Sequence, residues 1–447
     1  MRMLKSVALM LAGLGGGMAM ATQPNFVFIM ADDLGWADVD FHGGNTPTPE
    51  LDRLRKAGME LTQHYVAPVC TPTRAGLLSG RFWSRFGVAN PRNERTYPFD
   101  TMTLARALKS VGYETCLTGK WHLGSRPEWG PNHFGFDHSY GSLAGGVGPY
   151  DHSYKKGEYA ATWHRNETLI TEEGHVTDLI TAEAVRWLEG RGERPFFLYV
   201  PFTAVHLPVK EPKPYLDAVP EAIQGEVPRH YSACIRHLDE SVGKILAALE
   251  RTGHAADTLV IFTSDNGGST SENNDSKYPA DDYPEGNIPG NNLPLRGKKG
   301  DVFEGGIRVP TLAWWPGRLN PGRFEGAAHI VDWMPTLCGL AGYKPERDLK
   351  WDGQDLWPLL TGQATVGERT LYWQGPGFRA KAVRVGDWKL TAVREGAGWK
   401  EELFDLAADP SETRDLFAEE PERLAQLRAA LQKLEAGDRD AVATEKN

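Results

Sequence analysis

Asn25-Phe26-Val27-Phe28-Ile29-Met30-Ala31-Asp32-Asp33 is the stretch on which the reading of this 447-residue chain turns. Asn25 to Met30 is short and almost continuously apolar, the pattern of a strand covered on both faces. Two aspartates follow at once. The arrangement returns at Leu259 to Thr263, with Asp265-Asn266 just beyond, and Phe196 to Val200 is a third such run. Helical signals lie between them. Thr48-Pro49 offers an N-cap and a first-turn proline to a helix through Leu51 and Leu54 that ends near Gly58. Thr103 to Val111 reads as a second helix, stopped by Gly112. Ile180, Ala184, Trp187 and Leu188 share a face of another. Tyr231, Ile235, Leu238, Val242, Ile245 and Leu249 share a face of a longer one. Strands alternating with helices predict an α/β fold with a largely parallel sheet, whose strands' carboxyl ends line the ligand crevice. Asp32, Asp33, Asp265 and Asn266 would meet there as a hard-oxygen set suited to calcium, with magnesium second. Aspartate and asparagine also simply begin turns. Two such pairs at the same end of two core strands favour a metal.

Cys70-Thr71-Pro72-Thr73-Arg74-Ala75-Gly76-Leu77-Leu78-Ser79-Gly80-Arg81 is the second informative stretch. Pro72 lacks an N–H and fixes φ, so it belongs at or just before a helix start. Cys70 would then face a partly positive helix end, with Arg74 about one turn on: an anion site with a reactive atom in its floor. The plainer alternative is a buried structural cysteine beside a surface arginine. In Gly119-Lys120-Trp121-His122-Leu123-Gly124, Lys120 and His122 share a face if the segment is extended, and could meet one anion. An exposed loop with ordinary charges is the alternative there. His206 follows the 196–200 run and precedes Pro208, a position that faces the crevice. Arg296-Gly297-Lys298-Lys299-Gly300 and Glu304-Gly305-Gly306-Ile307-Arg308 complete the set.

Together these stretches resemble the formylglycine-dependent (type I) sulfatases, with the motifs in that family's order over most of residues 24–360. The 70–81 stretch is similar to the signature Cys-x-Pro-Ser/Thr-Arg, whose cysteine a maturation enzyme oxidises to formylglycine. A-D-D-L-G-W at 31–36 and S-D-N-G-G at 264–268 look like the family's metal-binding segments. G-K-W-H-L-G and the 296–308 segment also match. The narrower likeness is to arylsulfatase B, the N-acetylgalactosamine 4-sulfatases. The resemblance implies an alkaline-phosphatase-like α/β/α sandwich with a mixed, largely parallel sheet and a small C-terminal antiparallel-sheet subdomain. It implies calcium on Asp32, Asp33, Asp265, Asn266 and the group at Cys70. Arg74, Lys120, His122, His206 and Lys299 would be catalytic, His206 as general acid. Lys298 stands where the family commonly has glycine, so a swap of roles between Lys298 and Lys299 stays open. The substrate implied is a sulfated carbohydrate or an aryl sulfate. Alternatives are a phosphodiester or phosphonate hydrolase of the alkaline phosphatase superfamily, and a non-catalytic binder of sulfated glycans. The likeness weakens at 126–175, 267–290 and after 365.

Bulk properties set the remaining limits. A formal net charge of -10 argues against a nucleic-acid partner. Arg2 and Lys5 before the apolar Val7 to Leu14, then Ala19-Met20-Ala21, read as a signal peptide over 1–21, hence export to a periplasm or outside the cell. No later apolar run would span a membrane. The expected division is a catalytic domain over 22–365 and a C-terminal α+β subdomain over 366–447. In the latter, strands are read near Leu371 to Trp373, Ala382 to Val385 and Trp388 to Leu390, and a helix carries Leu424, Leu427, Leu431 and Leu434. Cys116, Cys234 and Cys338 read as small buried residues, with a single disulfide left open. Trp129, Tyr150, Tyr154 and Trp163 are candidates for stacking on sugar rings, and equally for core packing.

Overall fold

Asn25–Ala31 is a strand with no exposed residue, flanked in parallel by Phe196–Pro201 on one side and Thr258–Ser264 on the other. The structure is a computed structural model that describes residues 23–275, 278–280 and 282–443. The expected signal peptide at 1–21 lies outside the described residues. The sheet extends to ten strands in the order Gly322–Phe324, Met59–Leu61, Leu312–Trp314, Thr258–Ser264, Asn25–Ala31, Phe196–Pro201, Glu114–Lys120, His138–Ser142, Trp163–Arg165, Thr168–Leu169. The five strands from Thr258–Ser264 to His138–Ser142 are mutually parallel, and antiparallel pairs flank them. The sheet is therefore mixed and largely parallel at its centre, as expected.

Period-two alternation decides which layer each strand residue meets. Phe26, Phe28 and Met30 join a core with Leu77, Leu104, Leu108 and Trp333 from the helices Cys70–Ser79, Leu104–Ser110 and Trp333–Leu340. Val27 and Ile29 face the other way, toward Ile180, Ala184, Leu238 and Val242 from the helices Val176–Glu189 and Glu226–Arg251. A sheet buried on both faces explains the unbroken apolar runs.

Two central strands escaped the sequence reading. Glu114–Lys120 (E-T-C-L-T-G-K) is polar for a core strand, yet only Glu114 is not fully buried. Its threonine hydroxyls find carbonyl acceptors: Thr115 donates to Gly135 O at 2.8 Å and Thr118 to Ile180 O at 3.1 Å. A Cβ on Gly119 would lie 1.9 Å from Pro201 O, so glycine is required where the neighbouring strand's end closes in. His138–Ser142 is likewise buried at Ser139 and Ser142.

One local expectation is corrected, and one question left open, a disulfide among the cysteines read as buried, is answered. Thr48 does not cap Pro49–Ala57 with its side chain; its hydroxyl accepts from Asp40 N, and Asp239 instead accepts the N–H groups of Glu50 and Leu51 at 3.1 and 2.8 Å. All four cysteines are free, so no disulfide forms.

The C-terminal part is an antiparallel sheet, Thr370–Gln374, Ala380–Val385, Trp388–Glu395 and Gly398–Asp405, packed with the helix Pro421–Glu435. The last strand was not read, because its first half, G-W-K-E-E, is charged and mostly exposed. Trp83 and Trp373 cross the junction, donating to Gln374 O at 2.8 Å and Val66 O at 2.9 Å.

Candidate functional site

The five parallel strands end on one edge of the sheet, and each end delivers groups to the same crevice. Ala31 and Ser264 are register partners, so Asp32 and Asp265 leave the sheet side by side. Asp33 turns away with φ 64°, its N–H donating to Asp265 Oδ1 at 3.1 Å. Pro201 precedes the segment bearing His206. Lys120 closes its own strand, and Gly145 follows the end of the next.

The helix Cys70–Ser79 starts at this edge with Cys70 as its first residue. Pro72 is thus the third helical residue, not the first; its missing N–H is still one that would have no partner within the helix. Thr73 ties the helix to the strand end, its hydroxyl donating to Asp265 O at 2.6 Å. Arg74 is wholly buried. Its Nη2 and Nε donate to Asp265 Oδ2 at 2.6 and 3.2 Å, and its Nη1 to Lys120 O at 2.8 Å. The surface arginine of the plainer reading is excluded. Cys70 Sγ and carboxylate oxygens of Asp32 and Asp265 lie within 4.8 Å of one another.

Lys120 is also fully buried, with Nζ on Asp32 Oδ2. It does not share an extended face with His122, because His122 has φ 56° and the chain turns there. The His122 ring lies over Gly145, where a Cβ would come 2.4 Å from Cε1 and Nε2. Its Nδ1 is buried without a partner. Lys299 Nζ donates to Asp33 Oδ2 at 2.8 Å and to Glu272 Oε2 at 2.7 Å. Lys298 Nζ turns to the Ser271 hydroxyl instead, so Lys299 is the one of the two that reaches Asp33. His206 Nε2 lies 3.8 Å from Asp33 Oδ2, and its Nδ1 bonds to Leu207 O.

Glu272 was missed by the sequence reading, and the only signal was the length of the polar 267–290 loop that carries it. Trp129 and Trp163 are buried and Tyr154 is half-buried, so Tyr150, 44% exposed, is the most open of the four candidates.

Burial and mutual repulsion shape the charges here. Burial, then Asp265, pushes Asp32 well above the usual carboxylate range. Burial pushes the Cys70 thiol up to about 11, so an unmodified thiol would not be a thiolate at neutral pH. Burial holds His122 and His206 well below ordinary histidine, assisted by Lys120 at the first and Lys299 at the second. Burial opposes the charge on Lys299, but Asp33 and Glu272 hold it well above the usual lysine.

The donor set fits a divalent cation. Asp32 Oδ1 and Asn266 Oδ1 are buried without hydrogen-bond partners, an arrangement that is costly unless something else satisfies them. Both are hard oxygens, as are those of Asp265 and Asp33. Asp33 is the outlier: its oxygens accept from Asn266 Nδ2 and Lys299 Nζ, both at 2.8 Å, and it groups with His206 and Glu272.

A sulfatase family model matches residues 24–343. N-acetylgalactosamine-6-sulfatase of Mus musculus is 34% identical over 423 residues, covering 89% of this chain and 77% of its own. Arylsulfatase J of Mus musculus is 32% identical over 463 residues, covering 91% and 74%. The crystal structure of Ps i-CgsB in complex with k-i-k-neocarrahexaose superposes with a TM-score of 0.82 at 29% identity, over 95% of each chain. The narrower likeness to arylsulfatase B is not what these relatives carry; the family is. Motifs, fold and relatives agree, and the chain belongs to the sulfatase family, an enzyme that hydrolyses sulfate esters.

Proposed function

We propose that this sulfatase acts on a sulfated carbohydrate, uses calcium, and works through a formylglycine made from Cys70. The observation that carries the reading is Cys70 at a helix start, its sulfur beside Asp32 and Asp265, with Arg74 and Lys120 buried alongside. The carbohydrate class is supported by the relatives' names and by the oligosaccharide in the Ps i-CgsB complex. Asp32, Asp33, Asp265, Asn266 and residue 70 would hold the cation. Its chemistry there is to offset charge on the sulfate and on the attacking oxygen. Residue 70 as a hydrated aldehyde would supply two hydroxyls on one carbon, one nucleophilic toward sulfur and one open to deprotonation, which a thiol cannot supply. Arg74 orients residue 70 through the carboxylate of Asp265. Lys120 and Lys299 bind sulfate oxygens and stabilise the charge that develops on them. His206 protonates the departing alcohol, and His122 takes the proton that frees sulfate. Residues 1–21 would direct export to a periplasm or the exterior, and a formylglycine-generating partner would complete the enzyme. The catalytic domain would run to 365 and the subdomain from 366.

Mass spectrometry of the 70–74 peptide from active enzyme tests the nucleophile: the aldehyde or its hydrate is expected, and full activity with cysteine alone would refute it. Elemental analysis of the same material should find calcium, and chelation should lower both activity and melting temperature until calcium is returned. Faster turnover of an aryl phosphodiester than of an aryl sulfate would favour the phosphodiesterase alternative.

A further inference from the structure

Two tyrosines of the 267–290 loop stand against glycines of the loop that follows Ser142. A Cβ on Gly146 would come 2.7 Å from the Tyr278 hydroxyl and 3.1 Å from Nδ1 of His206. A Cβ on Gly148 would come 2.4 Å from the Tyr283 hydroxyl. The two rings meet edge to face at 6.4 Å. Glycines here let Tyr278 lie beside the imidazole assigned to the leaving group. Tyr278 is 6% exposed, and its hydroxyl is buried without a hydrogen-bond partner among the described residues. A tyrosine that merely tied two loops together would spend its O–H on one of them, and phenylalanine would pack as well. Leaving a buried hydroxyl unpaired is costly, so the group is kept for a partner outside the fold. Burial, then Tyr154, holds its proton in place. It is therefore a donor at working pH, at the edge of the site.

We propose that the Tyr278 O–H recognises the organic part of the substrate, donating a hydrogen bond to an oxygen of the sugar that carries the ester. This rests on the carbohydrate reading above and on His206 facing the leaving oxygen. Tyr278 would distinguish a sugar sulfate from an ester that presents only a sulfate on an apolar ring.

The test compares wild type and Tyr278→Phe on nitrophenyl sulfate, and on whichever of N-acetylgalactosamine 4-sulfate, N-acetylgalactosamine 6-sulfate, glucosamine 6-sulfate and sulfated galactose oligosaccharides wild type turns over best. Loss of one neutral hydrogen bond should lower kcat/KM on the sugar about five- to tenfold, mostly through KM. Rates on nitrophenyl sulfate and inhibition by inorganic sulfate should stay within about twofold, because neither presents a sugar oxygen. The melting temperature should hold or rise, since an unpaired buried group is removed. A fall in melting temperature, equal losses on both substrates, or an unchanged rate on the sugar would each overturn the assignment. Wild type that cleaves nitrophenyl sulfate but none of the sugars would instead sink the carbohydrate reading, and Tyr278 with it.

Discussion

His206 separates the two kinds of substrate in the proposed chemistry. Its Nδ1–H is held on the Leu207 carbonyl, and burial keeps the free ring neutral, so Nε2, 3.8 Å from Asp33 Oδ2, is the nitrogen that must first take up a proton before giving it to the leaving group. A sugar alkoxide departs poorly without a proton, whereas a nitrophenolate is stabilised by its own ring. His206→Ala should therefore lower kcat/KM on a sugar sulfate about 10²–10⁴-fold and affect nitrophenyl sulfate far less. Lys120→Ala should hurt both about equally, because both present the same sulfate oxygens. Equal losses for His206→Ala would place it in sulfate binding. In the proposed site Asp265 would have a double duty, as an oxygen donor for the cation and as the carboxylate that accepts from Arg74. Asp265→Ala should abolish the response of activity to calcium; an intact response would remove it from the metal set.

The helices Val176–Glu189 and Glu226–Arg251 are joined by a charge cluster around the buried His237, which also takes in Glu211, shortly after His206 in the chain. His237 Nδ1 meets Glu211 Oε2 at 2.7 Å and its Nε2 meets Asp178 Oδ1 at 3.1 Å, while the Tyr215 ring stacks on it at 4.0 Å. Burial opposes the charge on His237, but Asp178 and Glu211 outweigh it and push the imidazole up to about 9. The folded value lies above the unfolded value of about 6.5, so folding favours the protonated ring. Its contribution is complete below about 6.5 and is lost as pH rises through about 9. The melting-temperature gap between wild type and His237→Gln should be widest near pH 6 and shrink above pH 9. A gap that does not change with pH would contradict the imidazolium.

The C-terminal sheet is held to the catalytic layers by more than apolar contact. Lys389 Nζ sits 2.8 Å from both Glu304 Oε1 and Glu412 Oε1, with no exposure of any of the three side chains. Tyr65 donates to Glu304 Oε2 at 2.8 Å and receives Arg384 Nη1 at 2.6 Å. Glu304 thus serves docking, although it belongs to a segment that matches the family's site motifs. Lys389→Met would leave two carboxylates facing each other in the interior. Breaking a buried pair from one side costs about 3–5 kcal/mol. Denaturant unfolding should show a loss of that order, with kcat retained below the transition, since Lys389 touches no site residue. An unchanged midpoint would mean that the junction does not depend on the ion cluster.

Asn25 to Asp33 and Thr258 to Asn266 could be read without a structure because a strand covered on both faces must be apolar throughout. The change to aspartate at its end is then abrupt. The same logic made the amphipathic helices and the Cys70–Arg81 stretch legible, since each carries its pattern within one local segment. Glu114–Lys120 could not be read that way. Its threonines are buried because Gly135 and Ile180 offer carbonyls from elsewhere in the chain, and no local pattern encodes that. Thr48 misled for the same reason: Asp239, 191 residues on by number, took the helix N-terminus. The choice of Lys299 over Lys298, the entry of Glu272 and the free hydroxyl of Tyr278 depended on how a long polar loop folds back on the strand ends. Residue type and order determined which groups this sulfatase brings to its site. Which atoms face one another was decided only when distant segments closed around them, because hydrogen bonds and buried charges are satisfied in space and not along the chain.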